Sequence, residues 1–430
     1  MIGSVKEFGQ RTFVSLKTRN YRLYFWGQAI SVAGTWMQTV ALGWFVLQFT
    51  GSGAQLGSVV ATSFVPLLVF GPLGGVIADR FEKRRVILYA QSAFVIQALS
   101  LSILVYSGLT QVWMLYALAF FYGLIRAVDE PTRQAFVLEM VDDSRMKNAV
   151  SLNSMVNNLA RIVGPMIGGV LIVGMGVAFC FLFNALSYIA VISMILIMDK
   201  NELRRGDLAA KAKQSVADGF RFILATPLIK DILIMMAIVG TFAYEWQVSL
   251  PLLAERTFNG DASSYTFLMS SFGIGAVIGG LFSASRHRLS SRSLVIYVFV
   301  FGLSIIATAL MPTLQLAMLG MVLVGFFSIN LTTLANTMLQ LESTPEMRGR
   351  VMSFWIVAML GSTTIGGPAI GFIGEYFGAR WGLLVGGLAA LIAASTAGYP
   401  LLKKNTVDVI PESDEPEVEG IPAGAENQVV

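Results

Sequence analysis

Apolar runs of about 20 residues alternate with short polar breaks along the chain. A run of that length crosses ~30 Å of hydrocarbon at 1.5 Å per residue, so each reads as one membrane-spanning helix. The pattern predicts twelve spans: 24–49, 56–78, 86–106, 112–133, 150–173, 177–198, 228–253, 265–284, 294–311, 315–338, 351–373 and 380–402. The longest internal polar stretch, 199–227, follows the sixth. The expected domains are an N-terminal six-helix bundle (1–198), a linker (199–227), a C-terminal six-helix bundle (228–402) and a disordered, acidic, Pro- and Gly-rich tail (403–430). Leu208 to Leu224 suits an amphipathic helix on the membrane surface; a plain solvated linker is the alternative.

The halves echo each other. Arg145, Gly164, Pro165 and Gly168 recur as Arg348, Gly367, Pro368 and Gly371 at a constant offset of 203, as Leu138-Glu139 recurs as Leu341-Glu342. Gly74-Gly75 aligns with Gly279-Gly280 at 205. Several pairs at one offset are hard to obtain by chance from scattered glycines. Two parallel hydrophobic repeats with a substrate held between them near the midplane is transporter architecture. The expected fold class is an all-α membrane protein, twelve transmembrane helices in two six-helix bundles.

Composition adds exclusions. The chain is 55% hydrophobic and 13% charged, against roughly 25% charged in soluble proteins. One cysteine, Cys180, and one histidine, His287, exclude disulfide frameworks and Cys/His metal sites. No HExxH, GxSxG or Walker pattern appears, so neither a cofactor, a metal, catalytic residues nor direct ATP drive is expected. The start, Met1 to Tyr21, is basic and too polar for a cleavable signal core, so the first span is read as the insertion signal.

Charge gives the orientation. With the N-terminus placed in the cytoplasm, 25 of the 30 Lys and Arg fall in cytoplasmic segments and only Arg256 and Arg380 fall outside. This split puts both termini in the cytoplasm of a cell with this protein in its inner membrane. It also checks the helix count, because one missed span inverts the alternation downstream. The basic residues follow insertion topology and give no nucleic-acid reading. The expected partners are the lipid bilayer, a small-molecule substrate and protons, with the chain acting as a monomer.

Intramembrane charges cost at least ~2.5–3.5 kcal/mol each, so they mark function by default. Arg126, Asp129, Glu130 and Arg133 stand at i, i+3, i+4 and i+7 in the fourth span. They share a helical face and can pair as Arg126–Glu130 and Asp129–Arg133; Arg133 and its partner also suit the inner headgroups. Arg161 sits near mid-bilayer in the fifth span with no acid at ±3 or ±4. Asp129 or Glu130 is its expected partner, and an anionic substrate also satisfies it. Glu245 lies two-thirds across the seventh span with no Lys or Arg at 241, 242, 248 or 249. An unpaired carboxylate in apolar surroundings favours its neutral form, which makes Glu245 the proton-coupling candidate. The alternative is a rim residue hydrated by the cavity. Trp36, Tyr244, Trp246 and Trp355 are cavity candidates by helix number.

Two motifs carry a resemblance. Gly75-Val76-Ile77-Ala78-Asp79-Arg80-Phe81-Glu82-Lys83-Arg84, between spans two and three, resembles the G-x-L-A-D-R-x-G-R-K/R loop of the major facilitator superfamily, departing at Glu82 where the family has Gly. The resemblance implies that Asp79 meets the N-terminus of helix 11 near Arg350 when the cytoplasmic side is shut. A carboxylate there faces unpaired N–H groups, worth ~0.3–2 kcal/mol. Arg80, Lys83 and Arg84 would add salt bridges between the halves; plain positive-inside anchoring is the alternative. The equivalent second-half loop, Gly280 to Arg288, lacks the acid, so the latch is asymmetric.

Ala160 to Gly169 resembles the G-x-x-x-G-P-x-x-G-G antiporter motif of exporters, with Gly164, Pro165, Gly168 and Gly169 matching and Ala160 replacing the first Gly. It implies tight packing of helices 5 and 8 and favours efflux; helix packing alone is the other reading. Asn20-Tyr21-Arg22-Leu23-Tyr24 and Arg126-Ala127-x-x-x-Pro131 are similar to the bacterial subgroup containing the enterobactin exporter and macrolide efflux pumps. The resemblance implies a proton-coupled exporter of small amphipathic molecules working by alternating access. A lysophospholipid flippase of the same superfamily is the alternative, and a membrane-embedded enzyme is less favoured.

Overall fold

The computed structural model describes residues 13–204, 216–285 and 290–403. The first twelve residues, the middle of the 199–227 linker, most of the 286–292 basic loop and the tail from Lys404 lie outside the described residues, as do the expectations for them.

Among the described residues, twelve helices are long and apolar enough to span a membrane. They are α1 (Arg19–Thr50), α2 (Gly53–Arg80), α3 (Lys83–Ser107), α4 (Val112–Met140), α5 (Asp143–Gly174) and α6 (Val177–Ile197) in the first half. In the second half, α7 runs Pro227–Ala243 and resumes as Trp246–Leu252; α8 is Ala262–Ala284, α9 Ser291–Leu310 and α10 Leu314–Glu342. The eleventh, α11, runs Pro345–Ile356, passes a π turn at Val357–Gly361 and continues as Thr363–Tyr376, and α12 is Ala379–Thr396. The chain is a multi-pass membrane protein. Several helices outrun their apolar runs, α4 to Met140 and α5 back to Asp143, because hydropathy sees only the part inside hydrocarbon while the hydrogen-bonded ladder continues past it.

Packing repeats with the sequence. In the first half α2 lies on α4, α3 on α6, and α1 on α5 and α6. In the second, α8 lies on α10, α9 on α12, and α7 on α11 and α12. Each pairing is the earlier one moved on by six helices. Of the linker, Val216–Ala225 is helical, which favours the amphipathic reading there: Ile223 is buried in the second half's core while Phe220 and Leu224 are exposed.

Helix prolines feed these contacts. Pro131 removes the N–H that would bond to the Ala127 carbonyl, and Gly74 of α2 packs directly on that oxygen. Pro165 does the same for Arg161, whose carbonyl faces Gly273 of α8. A freed carbonyl met by a glycine Cα–H recovers part of the lost bond in lipid, where no water is at hand.

The halves touch along α2–α11 and α5–α8. On α2, Gly53 and Gly57 run so close to Gly371 and Gly367 that a Cβ at either would strike the opposing carbonyl. Between α5 and α8, Gly169 abuts Thr266 and the Ser270 hydroxyl donates to the Ile162 carbonyl at 3.4 Å. All these residues lie on the side away from the start of α1 and the end of α12. The molecule is therefore shut at its far face and open towards the face where those helix ends lie, the termini face.

Candidate transport cavity

Two adjoining spaces of about 470 and about 360 Å³ lie between the halves and share Trp36, Phe64, Arg161, Gln247 and Leu360 as lining. The first is walled mainly by α1, α4 and α5 and reaches the termini face past Tyr24, Gln28, Arg133 and Asn153. The second is walled mainly by the C-terminal half and is aromatic and Met-rich, with Tyr244, Trp246, Met269, Phe272, Trp355 and Met359. Trp36, Tyr244, Trp246 and Trp355 thus all line the cavity.

The fourth-span charges pair along their own helix. Arg126 donates from Nε and Nη2 to Glu130 Oε1 at 2.8 and 2.6 Å, with its guanidinium over the Phe64 ring. Arg133 donates to Asp129 Oδ2 and reaches Gln28 Oε1 at 2.6 Å. Asp129 is 1% exposed, and its other oxygen accepts from Gln91 at 3.1 Å. Each carboxylate already has a guanidinium, so the cluster is electrically closed.

That closure corrects the expectation for Arg161. It forms no ion pair with Asp129 or Glu130, because Arg133 and Arg126 occupy them. Its guanidinium lies over the Trp36 ring, 5.4 Å from the centroid, and its Nε is buried without a hydrogen-bond partner.

Glu245 is 2% exposed on the opposite wall, and its Oε1 is likewise buried and unpartnered. It has no Lys or Arg partner among the described residues, as its spacing implied. A hydrated rim is excluded by the burial. A feature absent from the hydropathy is the break at Tyr244–Glu245, where α7 stops and restarts with Glu245 as its N-cap. The break turns the carboxyl against α11, where a Cβ on Gly366 would lie 2.8 Å from Oε1. No Pro or Gly marks it. Tyr244, whose hydroxyl lies 2.6 Å from the Ser328 hydroxyl of α10, holds the other side of the break.

At the termini face, Asp79 and Arg80 are exposed in the last turn of α2 and a Cβ on Gly75 would meet nothing within 4 Å. Lys83 pairs with Glu139 at 2.6 Å, and Arg84 is buried, donating to the Ile195 and Leu196 carbonyls that end α6. Both are engaged within their own half here, rather than across the interface. Glu82 takes φ −59°, a conformation open to any residue, and pairs with Arg85 at 2.7 Å. This turn has no need of the family's glycine.

The fifth-span motif divides its contacts. Of its glycines, Gly164 and Gly168 pack on α1 at Trp36 and Met37 and Gly169 meets Thr266 of α8, where the Arg161 and Ile162 carbonyls also lie. The α5–α8 contact instead draws on Gly273, Ser270 and Thr266 of α8.

Sequence reasoning missed the buried amide chain in which Asn184 donates to Gln38 at 2.8 Å and Gln38 to Gln97 at 3.1 Å, joining α6, α1 and α3. Its signal was the polar stripe Gln28, Ser31, Thr35 and Gln38 at helical spacing on α1.

A family model described as "Transmembrane secretion effector" matches residues 10–421. The chain belongs to this family. The chain is 27% identical to the enterobactin exporter EntS of Shigella boydii serotype 18 over 392 residues, with 89% of each chain covered. It is 26% identical to EntS of Escherichia coli O81 over the same span and coverage. In fold it is similar to the inward-facing, unoccupied structure of a bacterial homologue of the human lysosomal transporter Spinster (TM-score 0.71, 14% identity, 89% of this chain and 98% of that one). It is also similar to a POT family transporter bound to a thioalcohol-conjugated peptide (TM-score 0.73, 13% identity, 88% and 95% covered). The family match makes the chain a transporter of the major facilitator superfamily.

Proposed function

We propose that the protein is a proton-coupled secondary exporter of small amphipathic molecules, in the class of siderophores, drugs or macrolide-like metabolites, working by alternating access in the inner membrane with both termini cytoplasmic. The observation that carries this reading is Glu245, a buried carboxylate with no cationic partner among the described residues, on the wall of a cavity lying between two halves shut at only one face. Of the acids in the cavity, Asp129 and Glu130 are held by arginines. An unpaired buried carboxylate gains most from binding a proton.

In the open conformation substrate enters from the cytoplasm, and rocking of the halves exposes the cavity outside. There a proton taken up by Glu245 competes with the substrate and returns on the next swing. The relatives' name as exporters, the fifth-span motif and the aromatic, Met-rich wall support export of amphipathic cargo. Inverted vesicles are expected to accumulate a lipophilic dye when a proton gradient is imposed, and Glu245→Gln to abolish it. Unimpaired gradient-driven uptake in that variant removes Glu245 from the mechanism.

A further inference from the structure

Three arginines line the cavity: Arg126, Arg133 and Arg161. Arg126 and Arg133 each have a carboxylate one helical turn away. Arg161 has none among the described residues, and its Nε is buried and unbonded. Burying a cation without a partner is costly and is seldom kept unless a partner arrives.

Trp36 answers only part of the deficit. The ring meets the face of the guanidinium, whereas the five N–H donors lie in its plane, where an anion is recognised edge-on. The backbone at this residue is fixed from behind: its carbonyl, released by Pro165, is packed against Gly273 of α8. Arg161 therefore stands at the closed end of the cavity, on the α5–α8 contact, and lines both of its spaces.

We propose that Arg161 is the binding group for the negative charge of the cargo, and that the cavity takes amphipathic organic monoanions with a flat aromatic body. The inference rests on the reading of this cavity as the transport site. One unpaired cation faces it, so a single negative charge is matched and a second is left uncompensated. The body of the ligand lies along the planar rings of Trp36, Trp355 and Phe272 and the apolar Met269, in a space of about 360 Å³.

Three probes with one ring system and different charge test this: naphthoate, naphthalenemethanol and naphthylmethylammonium, titrated calorimetrically into the purified full chain. Naphthoate is expected to bind about tenfold or more tighter than the other two, the range of a charge-assisted hydrogen bond. Arg161→Gln removes that preference while naphthalenemethanol binding stays within about threefold, which also reports an intact cavity. Equal binding of the three probes, tighter binding of the ammonium, or an anion preference that survives Arg161→Gln overturns the assignment. If Arg161→Gln does not fold, Arg161→Lys keeps the charge but loses the planar fork. The preference then falls at least about threefold, and an unchanged preference overturns the assignment. Gradient-driven uptake of a neutral and of an anionic lipophilic dye is measured in parallel, and transport of either counts as uptake. Uptake without anion preference sinks the anion site alone; anion preference without uptake sinks the exporter reading and leaves the site standing.

Discussion

Glu375, at the far-face end of α11, accepts hydrogen bonds from the Ser52 hydroxyl at 2.6 Å and the Ala54 N–H at 2.9 Å, so a carboxylate of the second half caps the first turn of α2. Beside it Arg256 donates to the Gly51 carbonyl at 2.6 Å and Gln48 to Glu255 at 2.7 Å. The far face is thus latched by a carboxylate on the N-terminus of α2. The expected termini-face latch uses Asp79, at the C-terminal end of the same helix.

Glu375→Ala is expected to loosen this closure. A lost helix cap is worth about 1 kcal/mol, roughly fivefold in a two-state ratio. A cysteine at Leu252, which is 1% exposed and packed against Gly53, reports it in a Cys180→Ser background. Labelling from the far side should rise by about that factor. Unchanged labelling removes Glu375 from the closure.

Two glycines of α2 should act in opposite senses. Gly57→Val forces α2 off Gly367 and raises labelling at Leu252→Cys, because the clash is with backbone that cannot step aside. Gly75→Val meets open space in this conformation, so it leaves melting unchanged and lowers labelling, because the far face opens only as the termini face closes. It slows transport by obstructing closure of the termini face. If Gly75→Val transports at the normal rate, that face closes without it.

Breaking the two arginine pairs should cost different amounts. Asp129→Asn strands Arg133 beside a nearly inaccessible site, at about 3 kcal/mol. Glu130, with its side chain 39% exposed, is screened, and Glu130→Gln costs about 1 kcal/mol or less. Thermal melting of the two variants ranks them, and equal losses contradict the burial argument.

Glu82→Gly restores the family's residue and is expected to cost stability, by about 0.5 kcal/mol. Glycine adds freedom to the unfolded chain while the native φ of −59° asks for none. A rise in melting temperature would show that the turn is strained.

How far the chain could be read varies with the range of the interaction. The pairs Arg126–Glu130 and Asp129–Arg133 were legible because four-residue spacing on a helix fixes neighbours locally. The partner expected for Arg161 was wrong for the same reason: those pairs use up the acids, and spacing within one helix says nothing about competition across helices. Glu245 was recognisable as unpaired. The break that turns it against Gly366 was not, since it follows from packing on α10 and α11 rather than from a proline or glycine.

The linear order of residues was enough for the count of helices, the repeat of one half in the other and the identity of the stranded charges. Each depends on hydropathy or spacing along a single segment, and lipid enforces those rules on every segment separately. Which charges are satisfied, which face is shut and where α7 breaks depend on helices hundreds of residues apart meeting at close range. Those outcomes are set by the shape of the packed interface, where a glycine, a freed carbonyl or a capping acid acts only once its distant partner is in place.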